Sequence, residues 1–142
     1  MGPGDADTAC VWCGTIGCRE KYEEMLALEF EQPAVFGAVH HITVICFNIQ
    51  HPDAFSEEAL EWMRSSLRAI VEENLSGPDL LKRTRKTFPG AVPVKRRTPP
   101  VEKPPGIMWS MTVLDVRTDS PDAYIEDIKA WAKSVLSDLD RK

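Results

Sequence analysis

The sequence predicts a mainly α fold: about four helices packed around one core, an N-terminal Cys knuckle, and a long Pro-rich crossover at 88–106. Three observations lead to this prediction. Apolar residues recur at helical spacing in several segments that end at proline or glycine. More than half of the chain's 11 prolines lie between residues 88 and 106. The 142 residues, 43% of them hydrophobic, are enough for one domain with a core.

The first helix is predicted from Cys18 to about Glu31. Its inner residues follow i, i+4, i+7, i+8 and i+11 spacing, and the Gln-Pro pair at 32–33 ends it. This inner stripe consists of Cys18, Tyr22, Met25, Leu26 and Glu29.

The segment 34–51 supports two interpretations. The run "ITVICFNI" is rich in β-branched and aromatic residues, which favours a strand. The segment is long for a strand, however, and it also fits a helical stripe, so we predict a buried central helix that ends at Pro52. The stripe consists of Phe36, Val39, His40, Thr43, Phe47, Gln50 and His51.

The second half of the chain contains two further long helices. Ser56 is a typical N-cap, and an amphipathic helix follows it to about residue 76, where "SGPD" ends it. A shorter helix is predicted at 79–86, and 108–116 is predicted to be a short strand or an ordered loop. Ser120 and Pro121 begin the last helix. Its inner stripe is Tyr124, Ile128, Trp131, Val135 and Leu139.

Composition limits the classes of function. Residues 1–9 are predicted to be a flexible tail, and 10–142 a single zinc-binding helical domain. No apolar run approaches the ~20 residues that cross a bilayer, and the N-terminus lacks a signal-peptide pattern, so we expect a cytoplasmic protein without a membrane partner. The net charge of −5 argues against nucleic acid as a partner. The basic residues between 82 and 97 form either a solvated face or a surface for an acidic partner.

The motif "CVWCG" at residues 10–14 is typical of a metal knuckle. Two thiolates separated by two residues can bind one tetrahedral ion, and the glycine lets the backbone turn back toward the sulfurs. In the reducing cytoplasm, closely spaced cysteines indicate metal or redox chemistry more than disulfides. One knuckle supplies two ligands, so a complete site needs two more.

The expected pairing of the first two helices limits which residues can supply the two remaining ligands. If the first two helices are antiparallel neighbours, Cys18 lies near His51, whereas His40 lies at the opposite end. His40 and His51 would stand about 16 Å apart on one helix and cannot share an ion. The predicted ligand set is therefore Cys10, Cys13, Cys18 and His51, a Cys₃His site. Zinc is the expected ion, and iron is the alternative because thiolate-rich sites accept both.

Each of these residues also has a simpler interpretation. Cys46 lies in the most apolar segment and is expected to be a small core residue. Cys18 could equally belong to the core, and His51 could cap the end of its helix. Cys10 and Cys13 could instead form a redox-active pair, although the strand that precedes such a motif in thioredoxins is missing here.

Glu29 and His40 form a second candidate pair. Glu29 falls on the apolar face of the first helix, where a carboxylate is costly without a partner, and the same pairing geometry places His40 near it. A buried Glu–His pair is a candidate catalytic acid–base site, and it is also an ordinary structural hydrogen bond.

The order of these motifs resembles a known family. "CxxCG", a Gly-Cys pair that opens a helix, and "HxxTV" followed by "QHP" are similar to an uncharacterised bacterial family, the domain of unknown function numbered 5946. The matching positions are Cys10, Cys13, Gly14, Cys18, His40, Thr43, Val44, Gln50, His51 and Pro52. The family carries no established activity, but the resemblance implies that these Cys and His positions act together.

The sequence favours a small protein with one structural zinc that acts as a binding or accessory module. Its partner would be a protein or a small molecule. The first alternative is a metal-dependent enzyme, with an open zinc position or an acid–base site at Glu29 and His40. The second is a thiol redox protein that uses Cys10 and Cys13.

Overall fold

The computed structural model describes residues 9–52, 55–87 and 107–140, and within them it is mainly α. The predicted fold class is confirmed: there are five helices and no strand among the described residues. The helices are α1 (Cys18–Glu31), α2 (His40–Gln50), α3 (Glu57–Glu73), α4 (Gly77–Thr87) and α5 (Pro121–Asp140). Residues 1–8 of the predicted tail and the predicted crossover at 88–106 lie outside the described residues.

Helix α2 is the central element. It packs against α3 and α5, which also pack against each other, and α1 covers a further side. A 3₁₀ turn at Gly37–Val39 leads into α2, so the helix predicted over 34–51 begins later than expected, at His40. Most of its residues are buried, which explains why a helical segment carries so many β-branched and aromatic side chains. Burial on nearly every side outweighs the strand propensity of this run.

The helix boundaries follow local capping chemistry. The Ser56 hydroxyl accepts a hydrogen bond from the Ala59 N–H at 3.2 Å, and the Ser120 hydroxyl accepts one from Ala123 N–H at 3.3 Å, so both predicted N-caps are confirmed. Helix α3 ends earlier than predicted because Asn74 adopts the left-handed conformation, with φ 54°. Helix α4 begins at Gly77, two residues before its predicted start.

The loop from residue 107 to α5 is ordered by specific hydrogen bonds. It contains a 3₁₀ turn at Val113–Asp115, so the loop alternative predicted for 108–116 is confirmed and the strand alternative is wrong. Buried Asp138 on α5 accepts bonds from the Ser110 N–H and hydroxyl at 2.7 and 2.8 Å. The amide of Gln50 on α2 donates to the Met111 carbonyl at 2.8 Å. Polar groups of this loop are therefore satisfied by side chains on α2 and α5, without a partner strand.

The core contains the predicted inner faces of the helices. Met25, Leu67, Ile128 and Trp131 are each 0% exposed, and the Trp131 indole N–H donates to the Gln50 side-chain oxygen at 3.3 Å. The core places the end of α2 beside the start of α1, where the predicted metal ligands lie.

Candidate metal centre

The N-terminal segment folds back on itself between Cys10 and Cys18. The Gly14 N–H donates to the Cys10 carbonyl at 2.8 Å, and the Cys10 N–H donates to the Thr15 carbonyl at 2.8 Å. Gly14 and Gly17 have φ values of 80° and 84°, a left-handed conformation that glycine adopts without a steric penalty. The two glycines therefore allow the chain to return its thiols to one side before α1 begins at Cys18.

His51 directly follows α2, and its ring is held in a defined orientation. Its Nδ1–H donates to the carbonyl of Phe47 at 2.8 Å. The ring stacks on Phe47 with centroids 4.0 Å apart, and Phe47 stacks on Tyr22 of α1 at 3.7 Å. A proton on Nδ1 leaves the lone pair on Nε2, which is the arrangement that metal-binding histidines usually show.

The structure brings all four predicted ligands together. One ligand atom from each of Cys10, Cys13, Cys18 and His51 lies within 4.8 Å of the others. His40 does not belong to this group, as the helix geometry predicted. A Cys₃His group of this size could hold a metal ion.

Cys46 lies apart from the cluster. It is 0% exposed in the core, and burial raises the pKa of its thiol far above the ordinary value. A neutral thiol among apolar neighbours behaves as a small hydrophobic residue, which confirms the prediction for this position.

The thiols of the cluster influence each other electrostatically. Burial works to raise the pKa of Cys10, but hydrogen bonds from the backbone of Cys13 and Trp12 and from neighbouring thiols lower it below the usual range. Burial, together with the negative charge of Cys13 and Cys10, raises the pKa of Cys18 to about 12. Three crowded thiols do not ionise together easily, and a bound cation removes that obstacle because it favours the thiolate form.

The second predicted pair, Glu29 and His40, is also in contact. Nδ1–H of His40 donates to Glu29 Oε1 at 2.6 Å. The carboxylate is buried, and its Oε2 accepts two more bonds, from the Thr43 hydroxyl at 2.6 Å and the Tyr124 hydroxyl at 2.5 Å. Three donors from α2 and α5 therefore compensate the cost of burying this α1 carboxylate.

Thr43 and Tyr124 had no predicted role in this network. Thr43 stands one helical turn after His40, so the sequence alone could have placed the two side chains on the same face of α2. Tyr124 was predicted only as part of the inner stripe of α5, because the sequence does not show which helix faces which. The side chain of His40 is 37% exposed and lies beside the exposed ring of Phe30, with centroids 5.0 Å apart.

The fold and the cluster define a small, mainly α protein with a Cys₃His group that could bind a metal ion. Comparison with known families then identifies the chain. It belongs to the family described as "Family of unknown function (DUF5946)", which it matches over residues 8–140. No curated protein and no solved structure matches the chain.

No membrane-spanning candidate exists among the helices of the described ranges, since none combines sufficient length with sufficient apolar character. Of the cysteines and histidines that the family resemblance emphasised, Cys10, Cys13, Cys18 and His51 form one group, whereas His40 contacts Glu29 instead.

Proposed function

We propose that the protein is a zinc-stabilised binding or accessory module, in which Cys10, Cys13, Cys18 and His51 hold one structural zinc ion. The observation that carries this proposal is the convergence of four soft and borderline donor atoms within 4.8 Å. The Nδ1–H bond from His51 to a backbone carbonyl supports it further, because that bond presents Nε2 to a metal.

Zinc suits this donor set best. Zn²⁺ binds thiolate and imidazole together, and a tetrahedral ion with Zn–S bonds of about 2.3 Å separates its ligands by about 3.7 Å. The four ligand atoms, which lie within 4.8 Å of one another, would then need to move only slightly closer together. Four protein ligands fill the coordination sphere, which is typical of a structural site rather than a catalytic one. Iron is the alternative occupant, since thiolate-rich sites accept it as well.

The metal would join the N-terminal turn to the ends of two helices. Cys18 is the first residue of α1 and His51 follows α2, while Cys10 and Cys13 belong to a turn with little regular structure. Zinc would therefore fasten the N-terminal turn to the ends of both helices. Because the unfolded chain has no complete site, the binding free energy would contribute to folding.

The first test is elemental analysis of protein purified without chelator or affinity metal, with a parallel count of reactive thiols. We expect about one zinc per chain and thiols that react only after a chelator is added. Protein without metal that loses two thiols on mild oxidation would instead support the redox alternative at Cys10 and Cys13.

The number of protein ligands then separates the module from the metal-dependent enzyme. X-ray absorption at the zinc edge should give three sulfur ligands and one nitrogen ligand. Replacement of the nitrogen by oxygen that exchanges with solvent would indicate an open position, at which a bound water becomes acidic enough to react. That result would favour the enzyme.

A second candidate function rests on the His40–Glu29 contact at 2.6 Å. A half-exposed imidazole oriented by a buried carboxylate can act as a general base toward a substrate at the surface. Hydrolysis of chromogenic esters, compared between the wild-type protein and His40→Gln, tests this candidate. Loss of hydrolysis in a variant with normal zinc content would support it, and equal rates would leave the pair a structural role.

A further inference from the structure

A separate cavity lies between α2, α3 and α5. Its volume is about 560 Å³, which falls in the range of small-molecule sites. The cavity is lined by residues from the start of α2, the end of α3 and the middle of α5. None of the four candidate metal ligands lines it, and neither does Glu29 or His40.

The floor of the cavity is apolar. Val39 and Ile42 contribute from α2 and the turn before it, Ile70 from α3, and Ile125 and Ala132 from α5. Val39, Ile42, Ile70 and Ala132 are buried, so their positions are fixed by the core. An apolar floor of this kind would accept a hydrocarbon body rather than a fully polar ligand.

The α5 side of the rim carries two positive charges. Lys129 and Lys133 are exposed, line the cavity and stand one helical turn apart, which places their Cβ atoms about 6 Å from each other. No Asp or Glu is among the described residues that line the cavity. The two ammonium groups can therefore act together on one negative group at the cavity mouth.

Several arginines on the surface of this acidic protein are already paired with carboxylates. Arg64, Arg68 and Arg117 each lie within 4.0 Å of a carboxylate. Within residues 9–52, 55–87 and 107–140, neither Lys129 nor Lys133 forms such an ion pair. Their charge is thus available to a ligand.

The opposite wall adds polarity without a negative charge. The Nε2–H of His41 donates to the Leu75 carbonyl at 3.3 Å, and a side chain at Gly77 would meet the His41 ring, since an added Cβ there would lie 3.4 Å from Nδ1. Burial lowers the pKa of His41, so this ring is neutral near pH 7 and leaves the two lysines as the cations of the cavity.

We propose that this cavity binds a small amphipathic anion, with its hydrocarbon body on the apolar floor and its carboxylate or phosphate headgroup between Lys129 and Lys133. The combination of apolar lining residues with two cations one helical turn apart and no lining acid among the described residues supports this ligand class. The proposal does not depend on the role of zinc.

The test is a titration of the protein, as purified, with four probes, followed by calorimetry and by amide NMR shifts. The probes are octanoate, octyl phosphate, octanol and acetate. We expect octanoate or octyl phosphate to saturate one site, with shifts concentrated in residues around the cavity. Octanol should bind about tenfold more weakly because it lacks the charge, and acetate should not saturate because it lacks the body. Preference between the two octyl anions identifies the headgroup.

Variants then locate the site. Lys129→Glu combined with Lys133→Glu should abolish binding of the anions and leave octanol binding unchanged. Lys82→Glu is the matched control, because Lys82 is exposed and does not line the cavity. Val71→Phe, which fills the cavity from its partly buried wall, should weaken every octyl probe. Equal binding of octanol and octanoate, or equal loss with Lys82→Glu, would overturn the proposal.

Discussion

Removal of the Tyr124 hydroxyl tests the buried carboxylate network most directly. In Tyr124→Phe, Glu29 loses one of its three donors while the ring and its packing remain. A hydrogen bond to a charged group is worth about 1.5–3 kcal/mol, and Oε2 keeps its bond from Thr43, so we expect a loss of about 2 kcal/mol. For a domain of this length, that corresponds to a decrease in Tm of about 7 °C.

Urea unfolding followed by circular dichroism provides the assay. With a typical slope of about 2 kcal/mol per molar, the midpoint should decrease by about 1 M urea. Tyr22→Phe is the matched control: Tyr22 is buried too, but its hydroxyl makes no hydrogen bond within the described part of the chain, so its midpoint should change little. Equal midpoints for Tyr124→Phe and Tyr22→Phe would refute the stabilisation of buried Glu29 by the Tyr124 hydroxyl.

Thr43→Val combined with Tyr124→Phe should lower the free energy of unfolding by more than the sum of the two single changes, since Glu29 would then keep only its bond from His40.

Further predictions concern the metal site and the pH dependence of stability. Cys13→Ser should release the metal and lower Tm markedly, as measured by elemental analysis and thermal melting; unchanged metal content would remove Cys13 from the ligand set. His51→Ala should weaken zinc binding in a competition titration with a chromogenic chelator, whereas His40→Ala should not, and the reverse result would contradict the assigned ligands. Cys46→Ala should retain full metal stoichiometry, at a cost in stability of about 1 kcal/mol for the small cavity. Burial lowers the pKa of His41 from the ordinary 6.5, so the folded state binds its proton less readily than the unfolded state. The stability from neutral His41 should be complete above about pH 6.5 and decrease as the pH falls through its folded-state pKa; an identical pH dependence in His41→Gln would contradict this assignment.

The sequence predicted those parts of the structure that depend on neighbours along the chain. Helical spacing and capping residues such as Ser56 located the helices, because both act within a few residues. The candidate ligand group also followed from local information: three thiols in one short segment, and an α1–α2 pairing that placed His51 beside Cys18.

Contacts between distant helices were beyond the reach of sequence patterns. Tyr124 reaches Glu29 from the other end of the chain, and Trp131 reaches Gln50 in the same way. A stripe on α5 indicates that these residues are buried, but it does not show which groups they meet. The cavity beside Lys129 depends on the packing of three helices, so no single segment could indicate it.

The order of the four candidate metal ligands along the chain has a consequence for assembly. Three of them lie in one short segment, Cys10 to Cys18, whereas His51 becomes their neighbour only after α1 and α2 have paired. A chain that has not yet folded would already carry a three-thiol half-site with a small loop-closure cost. Metal held by the unfolded chain subtracts from the stabilisation of the native state. If the site holds zinc, the ion would bind early in synthesis, and its net contribution to native stability would come mainly from the bond that the His51 imidazole adds after folding.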